Sequence, residues 1–232
     1  MRPLLLLQDF MDIIYPDLCL ACSQPLQKHE RILCLRCQLE LPKTDYAEFP
    51  ENPVAKKFWG KVPVAHAMAL YHFHKSSRIQ NLMHALKYKG RKDVGIKLGN
   101  LLGFQLFKND LFNSVDYITS VPLHREKEIK RGYNQANLIG EGLSEILEIP
   151  FASSILRKTK FTDSQTKKNR IQRWENVKEI FQLEEENTIK GKHILLIDDV
   201  ITTGSTLEAC TAELIKADGV RVSIAAVAHA EM

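Results

Sequence analysis

The run Ile194-Leu195-Leu196-Ile197, followed at once by Asp198-Asp199, constrains this chain more than any other stretch. Four consecutive apolar residues leave no polar face for water, which marks a strand buried on both sides, as in a parallel sheet. Two adjacent carboxylates at the end of such a strand are costly unless a cation or a set of hydroxyls engages them. Val200-Ile-Thr-Thr-Gly-Ser-Thr206 comes next, and a helix is predicted over 206–217. Thr202, Thr203, Gly204, Ser205 and Thr206 offer successive backbone N–H groups and four hydroxyls at that helix's N-terminus. Such a turn is a phosphate cradle, reinforced by the helix dipole. One end of the loop suits phosphate, the other suits ribose-like hydroxyls or a hydrated metal, and a sugar phosphate fits between them. The plainer alternative is a strand-to-helix turn whose Asp, Thr and Ser only cap the helix. Paired Asp residues after an apolar strand argue against it. The turn lacks the Lys of a P-loop, and no GxGxxG follows any strand.

The rest of the chain alternates in the same way. Strands are predicted over 64–73, 115–121, 150–156, 193–197 and 220–228, with helices over 78–106, interrupted at Gly90, and over 135–147. Strands alternating with helices give an α/β fold, a parallel sheet flanked by helices. Ligands of such sheets sit outside the carboxyl ends of the strands, which points to the loops after Val121 and after Ile197. Residues 43–63, with Pro50, Pro53 and Pro63, read as a linker. The expected organisation is therefore an N-terminal module over residues 1–45 and the α/β domain over residues 64–232.

Four of the five cysteines form two pairs, Cys19-x-x-Cys22 and Cys34-x-x-Cys37, separated by eleven residues. Two knuckles at this spacing close one tetrahedral four-cysteine site, and four thiolates without a spare position make it structural rather than catalytic, with zinc the expected ion. A lone CxxC also serves redox chemistry; two pairs without a matching fold argue against that use. Cys210 reads as a small buried thiol in a helix.

Residues 1–15 open with a short apolar run, Leu4 to Leu7, too brief and too soon interrupted by Asp9 and Asp12 for a signal peptide. No run approaches a membrane span of ~18 residues. The expected location is the cytoplasm. Leu7, Phe10, Met11 and Ile14 on one helical face would dock on the protein itself or, as the alternative, on the inner face of the membrane. The formal charge of +4 permits anionic ligands without marking a nucleic-acid binder.

The stretch Ile194–Thr206 resembles, position by position, the signature of type I phosphoribosyltransferases that binds phosphoribosyl pyrophosphate (PRPP). That resemblance implies that Asp198 and Asp199 hold the ribose hydroxyls near Mg²⁺ and that Thr202–Thr206 wrap the 5′-phosphate. Preceded by a four-cysteine module, the chain resembles the ComF family, phosphoribosyltransferase-like proteins associated with bacterial competence. Met83-His-Ala-Leu-Lys-Tyr-Lys-Gly90, Val121-Pro-Leu-His-Arg125, Lys130-Arg-Gly-Tyr-Asn-Gln135, Arg157-x-Thr159, Gln165, Arg173 and Asn176-Val177 look like further parts of its pattern. A departure lies at Gln165–Ile171, where the family often has an apolar residue soon after Gln. The resemblance assigns Pro122, Leu123, His124, Arg125 and Arg131 to a pyrophosphate-side loop, with Lys127 and Lys130 adding to its charge.

Residues 157–178 carry eight Lys or Arg against Asp163 and Glu175. Lys167, Lys168, Arg170 and Arg173 would close over a polyanionic substrate as a flap, track a nucleic-acid backbone, or simply stay solvated. The family implies a PRPP-binding protein that supports DNA uptake by handling single-stranded DNA, with a competence helicase as partner. The alternative it implies is an active phosphoribosyltransferase, moving phosphoribose to an amine or base with release of pyrophosphate. Thr202 stands where 6-oxopurine enzymes usually carry a third Asp, which argues against purine salvage. No general base stands out among residues 70–90, where His72, His74 and His84 are isolated.

Overall fold

A computed structural model describes residues 15–159 and 180–230. The predicted amphipathic segment over 1–15 except Tyr15, the flap residues Lys167, Lys168, Arg170 and Arg173, and the pattern residues Gln165, Asn176 and Val177 lie outside the described residues. The elements are, in chain order, α1 (Leu35–Glu40), β1 (Ala67–Phe73), α2 (Arg78–Tyr88), α3 (Lys92–Phe107), β2 (Tyr117–Ser120), α4 (Arg125–Arg131), α5 (Gln135–Leu147), β3 (Leu156–Lys158), β4 (Phe181–Leu183), α6 (Glu186–Ile189), β5 (His193–Ile201), α7 (Ser205–Leu214) and β6 (Arg221–Ala230).

Four strands form one sheet in the order β1-β6-β5-β2, every pair parallel. Its centre is dry, since Ile194 to Ile197 of β5 are all fully buried and Val222 to His229 of β6 are buried without a break. Continuous rather than alternating burial is what helices on both faces produce. The connection from β2 through α5 runs outward to the parallel bridge of Phe151 with Ile118, and that from β5 through α7 runs the other way to β6, so right-handed crossovers place these helices on opposite faces.

On one face α3 and α5 cross at unusually short range. Gly95, Gly99 and Gly103 fall four residues apart on α3 and face α5. A Cβ built on Gly99 would lie 2.1 Å from the Ile139 carbonyl oxygen, and one on Gly142 would lie 2.2 Å from the Ile96 carbonyl oxygen. Only hydrogen fits at these positions. Gly90 does the separate job of ending α2, at φ +67°, so that α3 can start two residues later.

Three expectations are corrected. The strand over 150–156 shrinks to a single parallel bridge, Ile118 with Phe151, because Ser153 and Ser154 turn the chain away; Leu156 then begins an antiparallel pair with β4. The strand ending at Ile197 runs on to Ile201, because β6 continues to pair with it past the carboxylates, Asp198 opposite Ala226 and Val200 opposite Ala228. Residues 43–63 are not a free linker. Lys43 bridges Tyr71 on the outer edge of β1, Thr44 N–H donates to the Leu70 carbonyl (2.9 Å), and Tyr46, Ala47, Val54, Ala55 and Phe58 enter the core. The buried Asn52 organises this stretch. Its amide donates to the carbonyls of Tyr46, Phe49 and Ala67 at 2.7–3.0 Å, and its oxygen accepts from the N–H groups of Val54 and Ala55.

None of the described helices is long and apolar enough to cross a membrane. Gly99→Ala is expected to lower stability by about 1–3 kcal/mol, since the α3–α5 crossing must open or shift. An unchanged thermal midpoint would show that this contact is not tight in solution.

Candidate functional site

Extension of β5 carries Asp198 into the protein rather than into a loop. Burial, and next the charge of Asp199, push its carboxyl from the ordinary 3.8 up to about 7. The Asp199 N–H (2.8 Å), Lys87 and Lys158 oppose that rise. Lys87, from the last turn of α2, pairs with Asp199 at 2.7 Å, and both side chains are largely buried. Lys158 on β3 is held below the usual lysine range by burial, and next by Lys127. Strands and helices from three parts of the chain thus deliver two acids and two cations to one point. Sequence reading placed the acids; Lys87 was visible only as part of a motif, and Lys158 as one charge in a basic stretch.

The loop itself is short. Thr202 and Thr203 are exposed, Gly204 adopts φ +82° as the residue before α7, and Ser205 opens the helix. Thr203 Oγ1 lies 3.0 Å from Ser205 Oγ, and Thr206 is exposed. Hydroxyls and first-turn N–H groups therefore face solvent together, the arrangement an incoming phosphate needs. The loop is backed by Phe58 and Lys57: a Cβ on Gly204 would sit 3.3 Å from the Phe58 ring and 3.7 Å from Lys57 Cβ. Sequence reading missed this brace because irregular backbone has no periodicity to detect.

The loop after β2 lies beside the same strand end, since Val121 N–H donates to the Ile197 carbonyl at 2.9 Å. His124 caps α4, its Nδ1 accepting from the Glu126 N–H at 3.3 Å. Pro122, Leu123, His124 and Arg125 line a cavity of about 740 Å³ together with Arg157 and Lys158. Arg131, grouped with these residues by sequence, stands at the far end of α4. There it lines a different cavity of about 390 Å³ with Lys87, Tyr88, Lys127, Lys130 and Tyr133.

The four cysteines converge as their spacing requires. Their sulfurs all lie within 4.8 Å of one another, and Cys22 Sγ stands 3.8 Å from Cys34 Sγ. A tetrahedron with metal–sulfur bonds of ~2.3 Å has edges of about that length, so the donor set fits a metal such as zinc. Backbone N–H groups point at the sulfurs, Cys34 N to Cys19 Sγ and Cys37 N to Cys34 Sγ, each at 3.4 Å. Burial opposes ionisation of Cys19, yet the N–H groups of Cys34, Cys22 and Ala21 outweigh it and bring this thiol to about 7. Cys37 is driven the other way by burial and by the neighbouring thiols. Four thiolates in one place need a cation. Cys210 is the buried thiol expected in α7.

A family model for the phosphoribosyl transferase domain matches residues 135–231. The DNA utilization protein YhgH of Escherichia coli (strain K12) is 27% identical over 204 residues, covering 83% of this chain and 88% of that protein. Competence protein F of Haemophilus influenzae is 41% identical over 91 residues, 39% of this chain and 40% of that one. Among solved structures, glutamine PRPP amidotransferase from B. subtilis superposes with a TM-score of 0.42 at 18% identity, over 62% of this chain and 30% of its own.

Two outcomes follow from the geometry. Between pH 4 and 7 folded Asp198 retains a proton that the unfolded chain has lost, so its contribution lowers stability as pH rises through that window. Asp198→Asn should raise the thermal midpoint at pH 8 by roughly 2–6 °C and leave it nearly unchanged at pH 4; a variant less stable at pH 8 would show the carboxylate to be stabilised instead. Metal analysis should find a single bound ion per chain, lost in Cys37→Ser together with several degrees of melting temperature. Retention of the ion in that variant would exclude the four-sulfur site.

Proposed function

We propose that this chain, which belongs to the ComF family and has the type I phosphoribosyltransferase fold, binds PRPP at the end of β5 and serves in the handling of single-stranded DNA during DNA uptake. One juxtaposition carries the PRPP assignment: a half-buried acid pair, Asp198 and Asp199, at the end of a fully buried strand run, opens within three residues onto exposed hydroxyls and N–H groups at a helix N-terminus. Thr202, Thr203, Gly204, Ser205 and Thr206 hold the 5′-phosphate, and Asp198 and Asp199 accept the ribose hydroxyls. Pro122, Leu123, His124 and Arg125 lie on the pyrophosphate side and line one cavity with Arg157 and Lys158. Asp198 and Asp199 would face Mg²⁺ brought with the pyrophosphate, whose positive charge would favour their ionised forms. Lys87 neutralises Asp199 when that charge is missing. Residues 1–45 hold a structural zinc ion, and residues 64–232, braced by Lys57 and Phe58, form the ligand-binding unit.

The names of the relatives, a DNA utilization protein and a competence protein, support the DNA role; a competence helicase is the partner proposed for it. Titration calorimetry of PRPP, with and without Mg²⁺, should show Mg²⁺-dependent binding that the double variant Asp198→Asn, Asp199→Asn abolishes. Unchanged affinity in that variant would sink the site. A pyrophosphate-release assay with candidate amines and bases then separates the two uses: no turnover keeps PRPP as a ligand, whereas release makes the chain a transferase.

A further inference from the structure

The second cavity shares no lining residue with the first and includes none of Pro122 to Arg125, although Lys87 on its wall reaches Asp199. Two segments some forty positions apart in the sequence meet there, Lys87 to Gly90 after α2 and Lys127 to Tyr133 at the end of α4. Their junction is fixed by Tyr133, whose hydroxyl donates to the Leu86 carbonyl. Gly90 and Gly132, both at positive φ, end the two helices sharply, so that their last turns point into one space.

Lys87, Lys127, Lys130 and Arg131 line a volume of about 390 Å³, and no carboxylate lines it. A cation at a helix C-terminus has an ordinary explanation in the helix dipole. Lys87 is engaged by Asp199 at 2.7 Å, and the dipole alone does not explain why Lys127, Lys130 and Arg131 are brought beside it in one cavity. Such a concentration of charge is what a polyanion requires. Beside it stands Tyr88, 68% exposed, with the Arg131 guanidinium 5.8 Å from its ring centre. The His84 ring lies tilted 5.1 Å from that ring centre, yet most of the Tyr88 ring stays open, and an inorganic anion would use the cations without using that open surface. A nucleotide strand uses both: phosphates meet the cations, and a base stacks on the ring. A duplex keeps its bases stacked on one another and cannot offer one.

We infer that this cavity binds single-stranded nucleic acid, with backbone phosphates at Lys127, Lys130 and Arg131 and a base on Tyr88. It thereby gives the DNA-handling role a place on the chain and rests on that role, not on PRPP binding. Binding of a 5′-labelled oligo-dT to the full metal-loaded protein, followed by fluorescence anisotropy, tests it, with PRPP calorimetry run on the same preparations. Tyr88→Ala should weaken the oligonucleotide about tenfold, while Tyr88→Phe, which keeps the stacking face, binds like the parent. Lys130→Ala should weaken it and reduce the salt slope by about one. PRPP affinity and melting temperature should stay at parental values in all three variants. Unchanged oligonucleotide binding in Tyr88→Ala and Lys130→Ala would overturn the inference, as would a parent that binds no oligonucleotide. Parallel loss of PRPP would also overturn it, by assigning the cavity to pyrophosphate. A parent that binds oligo-dT but not PRPP would remove the PRPP site and leave this one standing.

Discussion

The constraint on which the rest of the structure turns is a pair of acids at the end of a dry strand. Asp198 sits on the central sheet, half-buried at the end of the fully buried run Ile194–Ile197 and next to a second acid. Burying a charge this way is unfavourable by several kcal/mol unless partners are supplied. The surroundings read as a set of replies to that cost: a backbone N–H from Asp199, an ammonium from α2 and another from β3. None of these groups is near Asp198 in sequence except the first. The positions of α2 and of the β3–β4 hairpin over the strand ends follow from the same requirement. A site built on such a compromise is less stable without its ligand than a neutral one would be, a familiar exchange of stability for binding.

How much of this could be read in advance depended on the range of the interactions involved. Ile194–Ile197 and the helix Gln135–Leu147 were legible because local periodicity and burial coincide there, and that helix's bounds agree with the sequence reading at both ends. The cysteine pairs were legible because metal geometry imposes a spacing. The brace over 43–63 was not. Its prolines mimic a linker, and its order comes from Asn52 satisfying five backbone groups, one of them in β1. The full length of β5 was hidden for a related reason, since a strand's end is set by how far its neighbour continues to pair. Arg131 shows a third limit. Charge counted along a sequence says nothing about which side of a helix end it occupies, and one short helix, α4, separates it from His124 and Arg125.

The N-terminal module answers a different difficulty, that of size. About thirty polar residues cannot bury enough surface to fold alone, and a metal clip substitutes for a core. Here the module also leans on the larger unit. Cys19, Ala21, Leu33 and Cys37 belong to the same continuous apolar cluster as the sheet. The Arg78 guanidinium meets Glu40 at 2.8 Å, and the Asn81 amide donates to the Ala21 carbonyl at 2.9 Å. Both partners lie on α2, the helix that also carries Lys87. Metal site and acid pair are thus joined through one rigid element.

The treatment of the sheet margins has a consequence for assembly. A strand edge left open invites another chain to add itself by backbone pairing. On one margin Pro42 to Thr44 lie along β1, with His72 N–H bonded to the Pro42 carbonyl; on the other, Pro150 to Ala152 bond to Ile118 of β2. The backbone there is already partly engaged within the chain. Recruitment of partners by strand addition is accordingly disfavoured at both flanks, and recognition is left to side chains and loops at the open end of the sheet, where charge and hydroxyls rather than ladders of amides decide what binds.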